Sequence, residues 1–235
     1  MKLPSAFPRL KGFRFARDVI AYAVWTYHRF ALSAADVEDL LAERGVIVSR
    51  ETVCLWVNRF GRHFAGCLRK DRPKPNDKWH MDEAVITMSG RKFWLWRAID
   101  ADGDVLDILV QTRRNTKAAT RFFSRLVRHF GRPRVIVTDK LGGYVKQIHN
   151  LAPDADHRVH KGLNNRIENS HRQTRKREKI MGRFKLPQAQ RFLSAHDQIN
   201  TIFRPRRYNL SAASYRNARA DAFCLWAEYT AEMVA

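Results

Sequence analysis

The chain has 235 residues, 45% of them apolar, and sets 44 Lys and Arg against 23 Asp and Glu, a formal charge of +21. That is enough apolar material for a core, and more positive charge than solubility needs, so the composition points to a polyanionic partner, most simply nucleic acid. No apolar run approaches the ~20 residues of a spanning helix, the start MKLPSAFPRLKGFRF lacks a signal-peptide core, and Cys54, Cys67 and Cys224 stand far apart without a C-x-x-C spacing. A membrane protein, a disulfide scaffold and a zinc site are therefore disfavoured, and a cytoplasmic location is expected.

In chain order, FARDVIAYAVWTYHRF (15–30) repeats apolar residues at helical spacing. SAADVEDLLAERG (33–45) opens on Ser33 with Asp36 three residues later, a capping box, and closes on Gly45. Ser49 then caps RETVCLWVNRF, whose Val53, Trp56, Val57 and Phe60 form one stripe. Helix, turn with glycine and amphipathic helix make a helix-turn-helix pattern over residues 1–68, followed by a basic linker with two prolines at 69–78.

Beyond the linker the period changes to that of strands. KWHMDEAVITM, RKFWLWRAID and VLDILVQ, separated by SG and DADGD, predict a three-stranded antiparallel meander. TKAATRFFSRLVRHFG predicts an amphipathic helix ending at Gly131, and PRVIVTD a short buried strand. An irregular segment then leads to HRVH and to a helix beginning near Asn164. This is the element order of a ribonuclease H-like domain, expected at 79–182, with a C-terminal helical segment at 183–235. Other α/β domains share fragments of that order.

Three acids stand where solvation is inconvenient or unexpected. Asp82 lies in the first strand, Asp139 ends VIVTD, and Glu168 opens the basic stretch LNNRIENSHRQTRKREK. On a helix Glu168, Arg172 and Arg175 share one face, which by itself is equally the pattern of a solvated ion-paired helix. Asp82 and Asp139 likewise have plain readings as a paired strand residue and a strand-end turn. If the three converge, they can hold two Mg²⁺ ions for in-line phosphodiester displacement, because Mg²⁺ takes hard oxygen ligands. Glu83 is expected on the opposite strand face from Asp82. The acids of DADGD belong to a turn rather than a calcium loop.

WHMDEAVITMSGRKFWLWRAIDADGDVLDILVQTRRNTKAA, RVIVTDKLGGY and HKGLNNRIENSHRQTRKRE resemble the DDE transposases of bacterial insertion-sequence family six. The N-terminal helices are similar to that family's helix-turn-helix, so the resemblance covers almost the whole chain. It implies an α/β catalytic domain of the ribonuclease H-like, retroviral-integrase-like class after an N-terminal helix-turn-helix domain, with C-terminal helices. By the same resemblance Asp82, Asp139 and Glu168 are the catalytic metal ligands for two Mg²⁺ ions, with Mn²⁺ as a substitute.

The implied partners are double-stranded DNA, as terminal inverted repeats and as target, and further copies of the chain in a dimer or higher oligomer on DNA. The DNA-contacting residues would be Arg50, Thr52, Asn58 and Arg59 in the third helix, with Lys140, Arg172, Arg175 and Lys176 near the acids. A bacterial cytoplasmic, nucleoid-associated location follows. Two departures from the family pattern stand out. The interval between Asp139 and Glu168 is short, and Cys54 and Leu55 occupy the recognition helix where relatives often carry Arg. A non-catalytic DNA-binding protein and a ribonuclease H-like nuclease are the alternative readings.

Overall fold

A computed structural model describes residues 10–139, 145–159, 162, 165–184, 189–205 and 210–233. The chain divides into two compact units, one made of residues 1–72 and 194–235 and the other of 73–193.

The first unit is helical. It contains α1 (Arg17–Arg29), α2 (Ala34–Ala42), α3 (Arg50–Lys70), the second part of α7 (Ala189–Ile202), and α8 (Ala212–Ala231). The capping box at α2 forms as expected: Ser33 Oγ accepts from the Asp36 amide and the Asp36 carboxylate accepts from the Ser33 amide. Helix α3 continues ten residues past the predicted Phe60, because its apolar stripe runs on through Phe64, Ala65 and Leu68. Gly61 does not break it. A Cβ at Gly61 would meet His28 Nε2 at 3.0 Å, so the glycine lets α1 pack closely on α3. Aromatic rings hold α8 in place, with Phe64 and Trp226 stacked at 3.9 Å and Trp25 edge-on to Phe203 and Phe223.

The expected division therefore needs two adjustments. The predicted linker 69–78 is helical at its start, since α3 ends at Lys70, and strand β1 (Lys78–Met88) takes its last residue. The segment 183–235 does not stand by itself either: from Ser194 onward it completes the N-terminal helical unit. Apolar helices at both ends of a chain can share one core, which local sequence patterns do not reveal.

The second unit is a five-stranded sheet in the order β3-β2-β1-β4-β5, with β2 (Arg91–Asp100), β3 (Val105–Gln111), β4 (Val135–Thr138) and β5 (Asp156–Val159). The meander β1-β2-β3 is antiparallel, while β4 and β5 run parallel to β1. Ser89 and Gly90 both have positive φ, 48° and 74°, as a two-residue hairpin matched to strand twist requires. Asp100, almost fully buried, accepts from the amides of Asp102 and Asp104, so DADGD is a turn organised by its first acid.

One sheet face packs on α4 (Thr116–Phe130) and α5 (Val145–Leu151), burying Trp79, Met81, Trp96 and Ala98 against Phe122, Phe123, Leu126 and Ile148. Helix α5 lies in the stretch expected to be irregular; it is two turns long, below the length at which helical periodicity declares itself. The opposite face receives α6 (Asn165–Ile180), which buries Ile167, His171, Thr174 and Arg177. This is the ribonuclease H-like arrangement the element order predicted.

Candidate active site

Strand β4 pairs with β1 only as far as Met81 and Thr138, so the next residues in register are Asp82 and Asp139. Because β4 ends there, the Asp139 side chain is released at the carboxyl end of its strand beside a carboxylate still within β1. The carboxylates of Asp82, Glu83 and Asp139 each offer an oxygen within 4.8 Å of the other two. Glu83 alternates to the α4 face, as expected, since its cross-strand partner is Trp96 of that core. Its carboxylate nevertheless reaches the group, and it is also ion-paired to Arg114, whose guanidinium lies over Trp94 at 4.8 Å.

Three carboxylates so close repel one another strongly unless cations lie nearby. Arg114 supplies one such cation to Glu83. Asp82 and Asp139 keep hard oxygen donors suited to Mg²⁺. A carboxylate set of this kind fits a divalent ion.

Glu168 lies in the first turn of α6 and is exposed, outside the carboxylate group as placed. One turn further along the same helix, His171 is buried with Nε2 at 3.4 Å from Asp82 Oδ2. The start of α6 thus passes over the Asp82 end of the site. Arg97, cross-strand partner of Asp82, fixes this crossing: its guanidinium donates to Ser170 O at 3.0 Å, Ser170 Oγ at 2.7 Å and Thr174 Oγ1 at 2.6 Å. On the far side of β4, Thr138 Oγ1 and His157 Nε2 are 2.9 Å apart, and burial holds the His157 imidazole below its ordinary pKa.

The basic residues expected at DNA take varied positions. Arg172, Arg175 and Lys176 are exposed on α6, with Arg175 paired to Glu178 at 3.1 Å. On α3, Arg50, Asn58 and Arg59 are exposed, Arg50 paired to Glu51 and Arg59 stacked on Phe13 at 5.0 Å. Thr52 is half-buried in the helix cap, its hydroxyl 3.3 Å from Ser49 Oγ. Lys140 lies outside the described residues.

Residues 76–206 match the family model described as a DDE domain. The chain is 37% identical over 171 residues to the transposase for insertion sequence-like element IS431mec of Staphylococcus aureus strain Mu50, covering 70% of this chain and 76% of the relative. It belongs to the DDE transposases of insertion-sequence family six. The Staphylococcus aureus transposase for insertion sequence element IS257 in transposon Tn4003 matches to the same extent, 37% over 171 residues. Among solved structures, the HTLV-2 integrase catalytic core in complex with magnesium aligns over 55% of this transposase and 86% of the core, with 14% identity and a TM-score of 0.43.

As a family member the chain is a DNA strand-transfer enzyme. No helix among the described residues of this transposase is long and apolar enough to cross a membrane. Reading the sequence missed Arg97, His171 and the approach of Glu83. The available signal was an arginine inside the apolar run FWLWRAID, where a charge needs a buried partner.

Proposed function

We propose that this transposase binds the terminal inverted repeats of its element and carries out 3′-end cleavage and strand transfer into target DNA at Asp82, Asp139 and Glu168. The observation that carries the reading is the convergence of the Asp82 and Asp139 carboxylates at adjoining positions of β1 and β4. Glu168 is preferred over Glu83 as third ligand for two reasons. Glu83 already neutralises Arg114, and the first turn of α6 lies one turn from the His171 contact with Asp82.

Two Mg²⁺ ions, or Mn²⁺ in their place, would supply activation of the attacking oxygen and stabilisation of the leaving oxygen. The chain's own contribution is positioning. Asp82 and Asp139 present acceptor oxygens from a rigid sheet, and Arg172, Arg175 and Lys176 offer cations for the phosphates on the exposed side of α6. The α2–turn–α3 segment is the helix-turn-helix, with Arg50, Asn58 and Arg59 facing outward for DNA and Lys140 a further phosphate contact. Two element ends must be joined in one event, so the working form is a dimer or larger assembly on DNA.

The test is strand transfer in vitro with Mg²⁺, a labelled fragment carrying the element's terminal repeat, and a plasmid target. Wild type yields joined product and Glu168→Ala yields none, while both retain end binding. Equal joining by Glu168→Ala removes Glu168 from the ligand set, and end binding without joining by wild type favours a DNA-binding role alone.

A further inference from the structure

The helical unit contains a second group of donors, unrelated to the carboxylates of the sheet. His63 and Cys67 stand one turn apart on α3, and Glu232 follows the last residue of α8. Their ligand atoms lie within 4.8 Å of one another. Cys67 Sγ is 3.8 Å from His63 Nε2 and 3.8 Å from Glu232 Oε2. Two ligands of a tetrahedral zinc ion, at metal distances of about 2.3 Å for sulfur and 2.0 Å for nitrogen or oxygen, are separated by roughly 3.5 Å. The two distances from Cys67 Sγ are therefore close to what such an ion requires.

Two further observations bear on the same place. The His63 ring also lies against the backbone of Tyr229, a contact of the kind that orients a metal-bound imidazole. The Tyr229 hydroxyl donates to Asp71, the C-cap of α3, at 2.8 Å, which holds the ends of α3 and α8 together before any ion arrives. Around the Cys67 thiol lie two carboxylates, Glu232 and Asp71, with Lys70 as the opposing cation, and Glu232 supplies an anionic oxygen for an ion held there.

We infer that His63, Cys67 and Glu232 form a binding site for a zinc-type divalent ion that ties the end of α8 to α3. Three protein ligands leave a fourth position for water. The mixed nitrogen, sulfur and oxygen set selects a borderline ion rather than Mg²⁺, which takes oxygen alone. The sequence spacing gave no hint of this, because Glu232 is 165 positions from Cys67 and enters only through the fold.

The test uses the full chain, reduced and stripped with chelator, titrated with Co²⁺ as a spectroscopic stand-in for zinc. A near-ultraviolet sulfur-to-cobalt charge-transfer band is expected, saturating at one ion per chain and bleached by added Zn²⁺. Cys67→Ser abolishes the band, whereas Cys54→Ser and Cys224→Ser retain it. Glu232→Gln, at an exposed position, keeps the band but weakens cobalt affinity at least about tenfold. Asp82→Asn leaves the band unchanged, because a carboxylate site gives no thiolate transition, so the result is independent of the strand-transfer assay. Absence of the band in wild type, or its survival in Cys67→Ser, overturns the inference.

Discussion

Asp82 and Arg97 are cross-strand partners on β1 and β2, so a carboxylate and a buried guanidinium share the sheet face that α6 crosses. Arg97 spends its donors on the helix, on Ser170 and Thr174, and so sets where α6 lies relative to Asp82. Replacing it with Met removes three charge-assisted bonds and leaves buried acceptors unpaired. The expected loss is about 3 kcal/mol in urea unfolding. Arg97→Lys, which cannot span all three acceptors, should fall between. If Arg97→Met unfolds like wild type, these bonds are not what anchors the helix.

Substitutions at the neighbouring carboxylates should separate ligand from bystander. Asp82→Asn and Asp139→Asn are each expected to reduce strand transfer at least about a hundredfold, about 2.7 kcal/mol in activation free energy, with terminal-repeat binding retained. Glu83→Gln breaks the pair with Arg114 and should cost stability with a smaller loss of joining. A Glu83→Gln variant as inactive as Asp139→Asn would make Glu83 the third ligand.

Gly61 offers a packing test. A methyl group there would lie 3.0 Å from His28 Nε2, and His28 is itself buried with Nδ1 3.2 Å from His196 Nδ1. The imidazole has little room to retreat. Gly61→Ala should therefore lower stability by about 1–3 kcal/mol despite its better helix propensity, measured by thermal or urea denaturation. A neutral or stabilising result would mean that α1 shifts freely.

Acidification should destabilise the fold partly through His157. Its folded pKa lies below the ordinary histidine value because burial disfavours the imidazolium. The unfolded chain therefore binds the proton more readily, so this contribution is present above the unfolded pKa and is lost as pH falls through the folded one. Unfolding free energy should decline below about pH 6.5, and His157→Asn should flatten that decline. An unchanged slope in the variant would exclude His157 as a source.

Much of the fold was legible in local signals. The three strands of the meander were bounded by turns whose chemistry is unambiguous, Ser89-Gly90 and DADGD, and Ser33 with Asp36 marked α2 without help from packing. The third helix was expected only as far as Phe60, whereas α3 passes through Gly61 and Gly66 to Lys70. Strand alternation sets Asp82 and Glu83 on opposite sheet faces, but it does not foretell that their carboxylates meet beside Asp139. The Arg97 bonds, the His171 contact and the Cys67 group depend on residues scores of positions apart, and no periodicity encodes them.

The helical unit takes its residues from both sides of the sheet unit in sequence. During synthesis at about 5–20 residues per second, α1 to α3 leave the ribosome first and must wait for α8 while every strand of the sheet emerges. Nascent chains would thus pass through an interval in which Phe64 lacks Trp226. A copy interrupted within the sheet would release a half-built helical unit exposed to proteases.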